Sequence, residues 1–195
     1  MKRIVFAIAL IFVLCSCMVA QEARHEVTIQ GSGFFNKETT GNGTTHDPTN
    51  SGGLRVGYRY NINRWLAAEG DYDWFRNSQK YYNTSDFETV KTNVHAVTGS
   101  AIVKIPTSMK LKPYTLVGGG VMIFKPRDNS AFSTQTKGAF VYGGGADYAL
   151  MKHVAVRAEY RGFVYKAPDF DTATFRKVDS FTHSAVPSAG LVFSF

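Results

Sequence analysis

Charged residues spaced two apart are the first feature of this 195-residue sequence that could do chemistry. Arg157, Glu159 and Arg161 alternate with uncharged neighbours in VAVRAEYRGFVY (154–165). Glu69, Asp71 and Asp73 do so in a second run, and Arg55 and Arg59 in a third. A period of two places each set on one face of an extended strand. Three carboxylates on one face could hold a metal ion, but four arginines share the pattern, so an ion-pair network is the stronger reading. Nucleophilic catalysis would need a serine and a histidine on one face. His183 and Ser184 are adjacent and would point to opposite faces, and the residue two after His95 is Val97. His153 falls in a turn and His46 in a loop. Asp169 and Asp171 lack the glycine and closing glutamate of a calcium loop. Gly118-Gly119-Gly120 and Gly143-Gly144-Gly145 are followed by no helical pattern, which argues against a phosphate loop. The expectation is a protein that is not an enzyme, with no metal and no cofactor.

The elements that would position these charges are strands. In the dry core of a soluble sheet, three ionised groups on one face would be very costly. Inside a membrane barrel, an apolar outside and a polar inside are the normal arrangement. The amino end, residues 1–20, reads as a secretory signal peptide: Lys2 and Arg3, an apolar run over 4–14, small residues and a cut after Ala20. Lipidation at Cys17 is the alternative. Both cysteines lie in this segment, so the domain over 21–195 is expected to carry no disulfide. Losing Lys2 and Arg3 lowers the formal charge from +7 to +5. The cations are scattered and give no nucleic-acid footprint. No later apolar run approaches the length of a spanning helix.

Alternation predicts eight strands, over 26–36, 52–62, 65–75, 93–105, 113–124, 138–150, 154–165 and 184–195. In the fourth, Val97, Gly99, Ala101, Val103 and Ile105 are assigned outward, with the opposite register left open. The fifth offers the face Tyr114, Leu116, Gly118, Gly120, Met122 and Phe124. Connections alternate long and short, with long polar loops over 37–51, 76–92, 125–137 and 166–183. This predicts an all-β fold, an eight-stranded antiparallel up-and-down transmembrane β-barrel with its loops at one end. Trp65, Tyr114, Tyr148 and Phe195 would form one aromatic belt, and Phe35, Trp74, Phe124 and Phe140 the other. Eight strands enclose a lumen narrow enough for side chains to fill. Arg55, Arg59, Glu69, Asp71, Asp73, Asp147, Arg157, Glu159 and Arg161 are the candidates for filling it.

Four segments carry a resemblance. They are Lys112-Pro113-Tyr114 with the triplet at 118–120, Gly143-Gly144-Gly145-Ala146-Asp147-Tyr148, Arg157-Ala158-Glu159-Tyr160-Arg161, and the terminal Gly190-Leu191-Val192-Phe193-Ser194-Phe195. Over residues 26–195 the chain resembles the small eight-stranded outer-membrane barrels, similar to the barrel domain of outer membrane protein A and to the opacity-type surface proteins. The resemblance implies a place in the bacterial outer membrane among its lipids. It implies that Phe193 and Phe195 are part of a signal read by the barrel-assembly machinery. It also implies polar loops outside the cell, available to a host or matrix ligand. The function expected is structural or surface interaction, in adhesion or envelope integrity. A narrow channel or small-ligand transport barrel is the alternative. Pro187 departs from the pattern, because a proline within the last strand removes a ladder donor; it should lie near a rim or at a bulge. No wall-binding domain follows the barrel, so wall anchoring is not expected of this chain.

Overall fold

The computed structural model describes residues 24–41, 43–82, 87–127, 133–168, 170 and 180–195. The expected signal peptide with Cys15 and Cys17, and the loop acids Asp169 and Asp171, lie outside these residues. Eight long strands close into an antiparallel barrel: β1 (His25–Asn36), β4 (Ser51–Asn61), β5 (Leu66–Tyr82), β6 (Phe87–Lys104), β7 (Leu111–Pro126), β8 (Gln135–Met151), β9 (Val154–Lys166) and β10 (Phe181–Ser194). Each pairs with its neighbour in the chain, and β10 pairs with β1. Closure pairs each of these eight strands on both sides, the condition for strands to cross lipid.

The long connections are shorter than their composition suggests, because the strands run on into them. β5 continues to Tyr82 and β6 starts at Phe87, pairing from Arg76↔Asn93 up to Tyr82↔Phe87 through a stretch expected to be loop. The segment 37–51 holds two further strands, β2 (Thr39–Gly41) and β3 (Thr44–Pro48). β3 lies along β5 above the end of β4, with the register moved by one residue. Thr49 makes the join, its N–H donating to Ser78 O at 2.8 Å and its hydroxyl accepting from Ser78 N–H at 2.8 Å. Backbone groups rather than apolar alternation hold this extension, so a polar sequence can form it.

On β6, Val97, Gly99, Ala101 and Val103 face outward, as does Ile105 just past its end, while Ala96 and Ile102 are buried. On β7 the assignment of aromatic residues to the belts is corrected. Tyr114, Leu116, Met122 and Phe124 face the lumen and are buried, and Val117 and Val121 face out. Both faces of β7 are apolar, so alternation alone could not orient it. Outward aromatic residues do gather at both ends. Trp65, Tyr60 and Tyr148 lie at the turn end, and Phe35, Tyr72, Phe140 and Phe181 toward the loop end.

Pro187 sits at neither a rim nor a bulge. It pairs with Tyr160 of β9, and on the β1 side the ladder skips two residues between Ser32↔Ser188 and Phe35↔Ala185 without changing register. The missing donor therefore falls at the closing seam, which is held on both sides of the gap. Lumen-facing glycines let the wall bend. A Cβ on Gly118 would come within 2.1 Å of Gly99 O, and one on Gly120 within 2.1 Å of Val97 O. Outward Gly138 has nothing within 4 Å of that position. Gly118→Val is expected to abolish the heat-modifiable folded band on unboiled gels, whereas Gly138→Val retains it.

Candidate functional site in the barrel lumen

The lumen has two layers. Toward the turns it is ionic. Arg55 and Arg59 from β4, Glu69, Asp71 and Asp73 from β5, Asp147 from β8, and Arg157, Glu159 and Arg161 from β9 all point inward. The four arginines are fully buried. Two pairs run along the wall between cross-strand partners: Arg55 Nε donates to Asp73 at 2.7 Å, and Arg59 Nε to Glu69 at 2.5 Å. Arg157 does the same with Asp147, at 2.6 and 2.8 Å.

Other pairs cross the lumen. Arg55 reaches Glu159 at 2.7 Å, Arg161 reaches Asp71 at 2.6 Å and also Glu69, and Arg157 reaches Glu69 at 3.0 Å. Arg161 Nε also donates to Glu159 on its own strand at 2.6 Å. The network therefore ties β4 and β5 to β8 and β9 on the far wall.

Two members were missed in the sequence. Glu26 of β1 accepts from Arg157 at 2.9 Å and from Asn61 at 2.7 Å. Tyr114 donates its hydroxyl to Glu159 at 2.6 Å, and Arg59 lies 4.3 Å over its ring. Glu26 sits two places before Thr28 and four before Gln30, both buried in the lumen, and that parity was the available signal. Small residues make the space. A Cβ on Gly57, between the two β4 arginines, would lie 2.5 Å from Asp71 Oδ1; one on Gly145 would lie 2.7 Å from the Tyr114 hydroxyl.

Toward the loops the lumen is apolar. Phe34, Phe75, Val94, Met122, Phe124, Val141, Phe163, Tyr165 and Val186 are buried together, and Phe34 stacks on Phe75 at 4.4 Å. Above them Tyr81 donates to Pro168 O at 2.6 Å, and His46 lies against Tyr81 with its Nε2 2.5 Å from Gln79 Oε1. His46 was expected in a loop; it is a buried residue of β3. At the turn end a cavity of about 750 Å³ opens between Arg24, Lys104, Lys112, Lys152, Glu26 and Asp147 and stops at Tyr114.

Three further histidines are each paired singly. His183 is paired with Tyr142 Oη at 3.1 Å, while Ser184 turns inward to Asn36 and Tyr165. His95 is paired with Tyr72 Oη at 2.6 Å on the outer face, and His153 with Ser194 O at the rim. Among the described residues no group of three or more His, Cys, Asp or Glu is placed to hold a metal.

Removing one arginine would leave carboxylates buried without compensation, which costs about 3–5 kcal/mol. Arg161→Ala is expected to destabilise the folded barrel by that amount in urea titrations in lipid. Burial of His46 outside the membrane span pushes its imidazole down to about 4, against small opposing effects of Gln79 and Asp47. The neutral ring is therefore favoured in the fold. Its contribution is complete above the ordinary value near 6.5 and is lost as pH falls from there toward 4, a limit of about 3 kcal/mol. Protease resistance of the loop-end extension is expected to drop over that window, and His46→Gln to remove the dependence.

Comparison with known proteins gives the same architecture. Residues 6–181 match the family described as outer membrane protein beta-barrel domain. The chain is 28% identical over 135 residues to outer membrane protein A of Klebsiella aerogenes; the match covers 67% of this chain and 36% of that relative's length. Among solved structures, neisserial surface protein A superposes with a TM-score of 0.66 at 19% identity, covering 88% of this chain and 97% of the other. Ail, the attachment invasion locus protein of Yersinia pestis, superposes with a TM-score of 0.53 at 19% identity, covering 89% and 100%. With an apolar outer wall, charges turned inward and a sequence match over most of its length, the chain belongs to the outer membrane protein β-barrel domain family and resides in the bacterial outer membrane.

Proposed function

We propose that this protein works through the surface it holds outside the cell, as a structural or surface-interaction barrel in adhesion or envelope integrity. The observation that carries the reading is the double closure of the lumen. The arginine–carboxylate network fills one half, and the aromatic layer around Phe34, Phe75 and Phe163 fills the other. A rigid, filled barrel is suited to presenting a platform. Here β5, β6 and the β2–β3 hairpin carry ordered backbone beyond the membrane. The shared fold with an attachment invasion locus protein supports adhesion as the class of role. The same reading makes the lumen charges structural, with no catalytic residue, and makes the loop-end surface the place for a host or matrix ligand. Phe193 and Phe195 would serve recognition by the assembly machinery, and residues 1–20 export as a signal peptide cut after Ala20. The cationic cavity at the periplasmic mouth favours a second reading, a narrow channel or small-ligand transport barrel.

Planar-bilayer recording separates the two. The purified barrel is expected to show no large stable conductance, and a persistent open state that Arg55→Ala or Arg161→Ala enlarges would favour the channel. Epitope tags in 37–51 and 166–183 are expected to be reached by antibody on intact cells. Attachment of cells to matrix-coated surfaces is expected to fall when residues 39–48 are replaced by a short glycine–serine linker; unchanged attachment would count against the adhesion role.

A further inference from the structure

The outer wall is not uniform. Its apolar belt carries no charge on β5, β6 or β7 until the loop end, where Arg76, Lys91 and Lys125 face outward. Arg76 is in register with Asn93, and Asn93 with Lys125, while Lys91 faces Ser78 one step above. With strands about 4.8 Å apart, the backbones of Arg76 and Lys125 stand about 10 Å apart across Asn93. Lys80, further up β5, is opposite Asp47 of β3 and belongs to a different pair. Among the described side chains, the outward positions of these three strands hold cations and no carboxylate. The Arg76 guanidinium lies 4.7 Å over the Trp74 ring, which fixes it at the level where aromatic residues meet the membrane interface.

Three rows below this patch the wall becomes smooth. Trp74, His95 and Ile123 form the next row, then Tyr72, Val97 and Val121, then Gly70, Gly99 and Gly119, then Ala68, Ala101 and Val117. The glycine row is flanked by Tyr58 of β4 and Phe140 of β8, so three adjacent positions without side chains lie between two aromatic residues. Packing within the chain restricts Gly119, where a Cβ would lie 3.3 Å from Ala139 O, but not Gly70 or Gly99. A Cβ on Gly99 would meet nothing within 4 Å, and one on Gly70 only Thr98 O at 4.0 Å. The lumen glycines Gly118 and Gly120 of β7 are, by contrast, hemmed in by backbone. At Gly70 and Gly99 the trough therefore leaves space that the chain itself does not fill.

We infer that the outward face of β5, β6 and β7 is a binding site for one phosphate-bearing lipid of the outer leaflet. Arg76 and Lys125 take its phosphate, with Lys91 beside them, and its acyl chains lie in the trough of Gly70, Gly99 and Gly119. Charge-assisted bonds from Arg and Lys to phosphate are strong in a partly dehydrated interface. A trough of glycine and alanine lets an acyl chain contact the wall along its length.

The test uses the full-length protein in phosphatidylcholine nanodiscs doped with bisphosphorylated lipid A or with its dephosphorylated form. Native mass spectrometry counts the lipid retained. Wild type is expected to keep one bisphosphorylated molecule, preferred about tenfold over the dephosphorylated form, a difference of about 1.4 kcal/mol. R76Q/K125Q is expected to abolish that preference, while the turn-end control K110Q/K152Q keeps it. G99V, checked for folding by heat-modifiable migration, is expected to lower retention of both forms. Equal retention of the two lipids by wild type would overturn the site, as would undiminished preference in R76Q/K125Q. A protein dimer that G99V dissociates would overturn it in favour of a second copy of the chain on this face.

Discussion

Four arginines confined with carboxylates in a lumen one side chain wide are the constraint on which the rest of this barrel depends. Each guanidinium is fully buried. Burial of an ion is costly unless its partners are placed well, and the loss of one partner costs more than the pair contributes. The wall pairs Arg55–Asp73, Arg59–Glu69 and Arg157–Asp147 set the register of neighbouring strands. The crossing pairs Arg55–Glu159 and Arg161–Asp71 hold opposite walls at a fixed distance. An eight-stranded barrel of this kind therefore has its diameter, register and polarity specified by one connected set of hydrogen bonds.

The small residues follow from that arrangement. Gly57 lets the Asp71 carboxylate approach the wall between two arginines, and Gly145 leaves room for the Tyr114 hydroxyl. Tyr114 then offers a ring face to Arg59 and a proton to Glu159, joining the ionic layer to β7. Above it the lumen changes character. Phe34, Phe75, Phe124 and Phe163 fill the barrel by packing, where a further layer of ions would have needed partners the strands do not supply. The two halves resist opening by different physics, one by the penalty of unpaired charge and one by loss of apolar burial.

Much of this was legible in alternation. The eight strands, their closure, the outward register of β6 and the inward row of Arg157, Glu159 and Arg161 all follow from a period of two in which polar and apolar residues disagree about their solvent. Where the two faces agree, alternation is silent. β7 is apolar on both, so Tyr114 and Phe124 were assigned to the belts when they belong to the lumen. The extension of β5 and β6 and the strands β2 and β3 were hidden for a related reason. Above the membrane there is no lipid to demand apolar residues, and Thr, Asn and Ser satisfy a ladder as well as a loop.

The sequence by itself determined the architecture and which charges turn away from lipid, because the bilayer core sorts residues on a strand by parity. Only the tertiary structure decided which carboxylate meets which arginine. It also brought Glu26 and Tyr114 into the network and set Arg76 and Lys125 on either side of Asn93. Those contacts join residues from different strands around a closed wall. Their distances are fixed by register and closure, which no single stretch of chain contains.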